Sequence, residues 1–131
     1  MPHRKILLAD DEPYMVRALS FVLRKEGYEV ECAEDGEEAL RKFLDFNPDV
    51  VFLDLMMPKK DGFEVCHALR NDQQYRERST YIIMLTCKGQ DVDRYKAYLE
   101  GADEYLTKPF SPAAVVQKLK EHFTKNNERS P

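Results

Sequence analysis

Val50-Val51-Phe52-Leu53-Asp54 decides the fold: four apolar residues run without interruption and stop on an acid. Pro48 precedes the run, and a loop with Pro58 and Asp61-Gly62 follows it. Such a run reads as a strand buried on both faces. The same pattern recurs on either side. Ile6-Leu7-Leu8-Ala9 stops on Asp10-Asp11-Glu12, Tyr81-Ile82-Ile83-Met84-Leu85 on Thr86, and the short Tyr105-Leu106 on Thr107-Lys108. Tyr28 to Ala33 reads as one more strand, second in chain order.

Helical patterns fill the gaps. Pro13 opens the first, with Met15, Leu19, Val22 and Leu23 on one face and Gly27 past its end. Pro in a first turn and Gly after a last one are the expected punctuation. Asp35 can cap the second helix, with Glu38 three residues on and Ala39, Leu40, Phe43 and Leu44 as its apolar stripe. A third runs from about Phe63 to Arg70, followed by a polar loop from Asn71 to Thr80. A fourth runs from about Asp91 to Glu100 and stops at Gly101. Ser111-Pro112 caps a last helix that turns Val115, Val116, Leu119 and Phe123 inward, and Lys125 to Pro131 reads as a frayed polar tail. Strand and helix alternating five times predict a parallel sheet with helices on both faces. Right-handed crossovers then bring every strand's C-terminal end to one edge, where ligands of such sheets bind.

Composition bounds the rest. A chain of 131 residues suits one domain, and a hydrophobic fraction of 43% is too high for a disordered one. The net charge of -4 argues against a free-standing nucleic-acid-binding module. No apolar run approaches the ~18 residues of a membrane span. The apolar stretch near the start is too short for a signal peptide, so the expectation is a soluble, cytoplasmic protein. Cys32, Cys66 and Cys87 are too scattered for disulfides or zinc and read as reduced, packed thiols. His3, His67 and His122 show no ligand spacing and read as surface or helix-face residues.

The carboxyl edge carries the chemistry. Four strands deliver Asp10, Asp11, Glu12, Asp54, Thr86 and Lys108 to one rim. Gathered carboxylates repel one another unless positive charge joins them. Lys108 supplies one charge, and Mg²⁺ is the natural second partner because it takes one or two carboxylates, waters and a phosphate oxygen. Such a rim suits a phosphoryl group, with a free carboxylate attacking phosphorus in line. Asp54, ending the most buried strand, is the candidate nucleophile, and Asp10 and Asp11 are candidate metal ligands.

These residues resemble the receiver domain of two-component response regulators from roughly Arg4 to Thr124. The matching pieces are Leu8-Ala9-Asp10-Asp11-Glu12-Pro13, Asp54-Leu55-Met56-Met57-Pro58, Asp61-Gly62, Met84-Leu85-Thr86 and Gly101 to Phe110. The resemblance implies a flavodoxin-like three-layer α/β sandwich, five strands in the order 2-1-3-4-5 with five helices, an order for which the chemotaxis member of this family is the standing example. It implies a receiver domain over residues 1–124 and a polar tail or linker stub over 125–131. Asp54 would accept phosphate from a sensor histidine kinase, a phosphotransfer protein or a small phosphodonor. Asp11, Asp54 and the backbone carbonyl of Met56 would ligate Mg²⁺, with Asp10 acting through water. Lys108, joined to Pro109 by a cis bond, would pair with the phosphoryl group. Thr86 would hydrogen-bond it, Tyr105 would turn inward, and the surface of helix four, strand five and helix five would change shape. The chain would then be a switch and not an enzyme, beyond self-phosphorylation and slow loss of its own phosphate.

The chain departs from the family at several places. Cys87 follows Thr86 where Ala is usual and reads as a tolerated small residue; the alternative is that its larger side chain narrows access to the phosphate. Lys59-Lys60 reads as a solvated turn. Arg94, Asp103, Glu104 and Lys118 resemble the charges through which many DNA-binding members dimerise. Ala114 and Leu99 replace two others, so a phosphorylation-dependent homodimer would be weaker or more apolar here. Tyr95 and Tyr98 read as core and rim residues. Two other functions fit parts of the rim. A haloacid-dehalogenase-like phosphohydrolase needs a second Asp where Met56 stands, and usually a cap domain. A flavin carrier would bring phosphate against Asp10-Asp11-Glu12, which repel it without metal.

Overall fold

The computed structural model describes residues 4–87 and 91–129, so His3, Ser130 and Pro131 lie outside the described residues. The elements alternate as β1 (Lys5–Ala9), α1 (Pro13–Lys25), β2 (Glu29–Ala33), α2 (Gly36–Phe46), β3 (Val50–Asp54), α3 (Gly62–Asn71), β4 (Tyr81–Thr86), α4 (Asp91–Leu99), β5 (Glu104–Thr107) and α5 (Pro112–Arg129). All strand pairs are parallel, in the order β2-β1-β3-β4-β5. This is the expected flavodoxin-like architecture.

Strand alternation builds two cores. Leu7, Ala9, Val51, Leu53, Ile82 and Met84 face α2, α3 and α4, where Ala39, Phe43, Val65, Leu69 and Ala97 meet them. Ile6, Leu8, Val50, Phe52, Ile83 and Leu85 face α1 and α5, where Leu19, Leu23, Val115 and Leu119 meet them. Each fully buried aliphatic side chain contributes about 1.5–3 kcal/mol. Because both faces are covered, β3 is buried along its whole length and holds its last residue, Asp54, rigidly at the sheet edge.

Helix starts follow the sequence closely. Asp35 accepts the Glu38 N–H at 2.8 Å, while Glu38 Oε1 reaches one residue further back, to the Glu34 N–H at 2.6 Å. Ser111 Oγ accepts the Ala114 N–H at 3.1 Å. Asp61 and Glu64 form a complete capping box that the sequence reading did not name. Gly62, the next residue, packs against the site strand: a Cβ there would lie 2.6 Å from the Asp54 carbonyl oxygen and 3.0 Å from Leu55 Cα. Gly62→Ala is therefore expected to destabilise the protein by about 1–3 kcal/mol, read as a lower urea midpoint. An unchanged midpoint would show that the loop yields freely.

Three expectations need correction. Residues 125–129, read as part of a frayed polar tail, are helical: α5 continues to Arg129, because no Pro or Gly interrupts them and a terminal turn needs no apolar face. Tyr95 and Tyr98 are not core residues but are 68% and 48% exposed. Among the described side chains of α4, Ala97 is the buried one and packs into the core beside the sheet. Finally, the polar loop 71–80 is partly core: Tyr75 is buried edge-on to Phe43, with ring centroids 6.0 Å apart.

Candidate functional site

Parallel register sets the site. Ala9 lies beside Leu53, and Asp54 beside Leu85, so Asp10 and Asp54 leave adjacent central strands at nearly the same height. Thr86 pairs with Thr107 across the β4–β5 edge, and the Lys108 N–H donates to the Thr86 carbonyl at 2.6 Å. The Lys108-Pro109 bond is cis, as expected. Asp10, Asp54 and Thr86 are buried and Asp11 is exposed. One carboxylate oxygen from each of Asp10, Asp11 and Asp54 lies within 4.8 Å of the others. The structure thus brings together the four groups that the sequence places on this rim as acceptor, ligands and counter-ion.

Lys108 reaches into the cluster from the opposite side. Its Nζ lies 2.7 Å from Asp10 Oδ2, 2.9 Å from Glu12 Oε1 and 3.7 Å from Asp54 Oδ2. Burial alone would lower the pKa of this ammonium, but the hydrogen bonds to Asp10 and Glu12 and the charges of Asp10 and Asp54 outweigh that and hold it above the ordinary lysine value. Asp54 moves the other way for a carboxylate. Burial, then the neighbouring Asp10 charge, push it up to about 7, against the Met56 N–H bond at 3.2 Å and Lys108. One ammonium faces four carboxylates, so the site remains strongly negative.

A hard divalent cation fits this donor set. Asp10 Oδ1 accepts the Glu12 N–H at 2.9 Å, and Asp10 Oδ2, sealed from solvent, has the Lys108 ammonium 2.7 Å away as its partner. One ammonium shared among these acids leaves their mutual repulsion only partly offset. Three converging carboxylates offer the all-oxygen coordination that Mg²⁺ prefers. The Met56 backbone touches the site through its N–H, while its side chain is exposed.

Thr86 and Tyr105 share one face of the sheet. Met84 pairs with Tyr105 and lies on the α3–α4 side, and Thr86, two residues on, points the same way. Tyr105 is buried, with the Arg94 guanidinium 5.4 Å from its ring centre. Three of the four charges compared with a dimer set are engaged within the chain: Glu104 pairs with Lys118 at 3.1 Å, and Asp103 with Arg70 at 2.7 Å. His67 pairs with Glu100 at 2.7 Å and His122 stacks on Tyr81, in keeping with helix-face histidines. Cys66 is buried, which pushes its thiol up to about 12, whereas Cys87 is exposed beside Thr86 and not packed. The sequence reading put Glu12 on the rim without a task; its contact with Lys108 is the functional geometry it missed. The third acid of Asp10-Asp11-Glu12 was the available signal.

The comparisons agree with this geometry. The family model described as the response regulator receiver domain matches residues 6–120. The transcriptional regulatory protein ResD of Bacillus subtilis is 45% identical over 116 residues, 88% of this chain and 46% of that protein. The alkaline phosphatase synthesis transcriptional regulatory protein PhoP of the same organism is 41% identical, over 98% of this chain and 52% of its own length. The chain therefore spans about half the length of these two relatives. Among solved structures, the chemotaxis response regulator CheY4 of Vibrio cholerae superposes with a TM-score of 0.82 at 35% identity, covering 92% of this chain and 98% of that one. Receiver domains are phosphoacceptor signalling switches, not classical enzymes, and bind Mg²⁺ at an acidic pocket. With the model match, the relatives and the acidic edge in agreement, the chain belongs to the response regulator receiver domain family.

Proposed function

We infer that Asp54 is the phosphoacceptor of a Mg²⁺-dependent switch, served by a sensor histidine kinase or a phosphotransfer protein. The observation that carries this reading is the placement of a buried strand-end carboxylate between two further acids and one buried lysine. An Asp54 oxygen forms the new O–P bond while the donor's P–N bond breaks and its electron pair leaves with the imidazole. With acetyl phosphate a P–O bond breaks instead, and acetate departs. Asp10, Asp11, Asp54 and the Met56 carbonyl would hold the cation, which supplies charge neutralisation for the incoming phosphoryl oxygens.

Lys108 shares that task from the protein side. Phosphorylation adds about −1.5 to −2 charge, which Lys108 and the Thr86 hydroxyl engage. Tyr105, on the same sheet face as Thr86, transmits the change toward α4 and α5. The exposed α4 residues Tyr95, Tyr98 and Leu99 make any phosphorylation-dependent homodimer through this surface more apolar than one built from paired charges. The output partner lies outside this reading, and the segment makes no direct nucleic-acid contact in it.

Acetyl phosphate with Mg²⁺ is expected to add one phosphoryl group per chain, detected by mass and lost at alkaline pH as an acyl phosphate. Asp54→Ala or EDTA is expected to abolish the adduct. Repeated turnover of a phosphate ester without stoichiometric labelling would instead favour a hydrolase.

A further inference from the structure

Glu12 occupies the N-cap position of α1, where an acidic or hydroxyl side chain ordinarily turns back onto the first helical N–H groups. Here it makes no capping bond. Its Oε1 instead lies 2.9 Å from Lys108 Nζ, 96 positions away in the chain. Backbone contacts fix its place. The Glu12 N–H donates to Asp10 Oδ1 at 2.9 Å, its carbonyl accepts the Val16 N–H at 3.0 Å, and Pro13 follows at the first helical position.

Lys108 therefore sits among three carboxylates, and the two nearest are not Asp54. Asp10 belongs to the three-acid cluster suited to a cation, but Glu12 lies outside it. A cation in the cluster would neutralise Asp10 and weaken its hold on the ammonium. Glu12, half exposed and beyond the cluster, would keep its hold. It then competes directly with a phosphoryl group on Asp54 for the one ammonium at the site.

We propose that Glu12 is a latch on Lys108, a positioning residue that draws the ammonium away from Asp54 and must yield it when a phosphoryl group arrives. The proposal rests on the phosphoacceptor reading given above. A charge-assisted bond to a partly exposed partner is modest, so the latch sets how readily the switched state forms and does not forbid it.

Two variants of the full chain separate the latch from a general effect of negative charge. Glu12→Gln removes the charge. Glu12→Asp keeps the charge but shortens the reach by one methylene, and Asp at an N-cap gains a better alternative in the helix N–H groups. Beryllofluoride, a phosphoryl mimic, is titrated into each protein with Mg²⁺ and followed by tyrosine fluorescence. Both variants are expected to bind it about two- to fivefold more tightly than the parent. In the cation-free proteins, both are also expected to move the Lys108 ammonium nitrogen resonance. Tighter binding by Glu12→Gln alone, with Glu12→Asp like the parent, would overturn the latch in favour of a field effect. Unchanged or weaker binding by both would overturn it as well. If the parent takes neither beryllofluoride nor phosphate, the phosphoacceptor reading itself fails and the latch falls with it.

Discussion

Replacing Lys108 by Met is expected to slow phosphoryl transfer to Asp54 by about 10²–10³-fold, the loss typical when one fixed electrostatic donor is removed from a reacting centre. Met matches the length of the apolar stem but leaves four carboxylates with no ammonium among them. The lysine side chain is 9% exposed, so solvent does not screen what it contributes. Two effects add. The phosphoryl oxygens lose a counter-charge, and Asp54, already pushed up to about 7, loses a neighbour that opposes that rise. Before the cation binds, less of it is then the nucleophilic carboxylate at neutral pH. Lys108→Arg is expected to recover only part of the rate, because a planar guanidinium cannot replace a compact ammonium among three close carboxylates. Single-turnover labelling with acetyl phosphate at saturating Mg²⁺ measures both variants. A loss of less than threefold for Lys108→Met would remove Lys108 from the proposed mechanism.

The second large effect concerns stability. In EDTA, Asp54→Asn is expected to stabilise the protein by about 1–2 kcal/mol at pH 8 and by almost nothing at pH 4. The sign follows from the raised pKa. An unfolded Asp titrates near its ordinary value of 3.8, whereas folded Asp54 titrates at about 7. Between those values the folded chain binds the extra proton, so this group's stabilisation is complete below the lower value and is lost as pH rises through the upper one. Asn resembles the protonated side chain at every pH and escapes that loss. The full difference would exceed the figure given, but water entering the opened edge offsets part of it. Saturating Mg²⁺ is expected to close the gap, because the parent then gains a cation that Asn holds poorly. Urea midpoints at the two pH values, with and without Mg²⁺, provide the check. A difference independent of pH would show that Asp54 is ionised throughout.

Both predictions depend on side chains that the sequence places on one edge. Why that edge was legible can be traced to individual residues. Val50 to Asp54 and Tyr81 to Thr86 have no polar interruption, and only a strand covered on both faces tolerates that. Asp35 and Ser111 announce helix starts because each can satisfy an N–H group three residues on, and both do. By contrast, Tyr95 and Tyr98 follow a helical spacing compatible with burial, yet Ala97 is the residue turned into the core among the described side chains of α4, and both tyrosines stay outside. Tyr75 was lost in a polar loop because its burial depends on Phe43, 32 residues earlier in the chain.

The order of elements, the parallel sheet and the set of residues at its carboxyl edge were determined by the sequence alone, since periodicity and helix punctuation act over a few neighbouring residues. Tertiary structure decided how those residues share one lysine. Asp10 and Glu12 lie closer to it than Asp54 does, and the exposed Asp11 still converges on the buried pair. Differences of an ångström between side chains about a hundred residues apart arise from the packing of both cores against the sheet, and no local pattern encodes them.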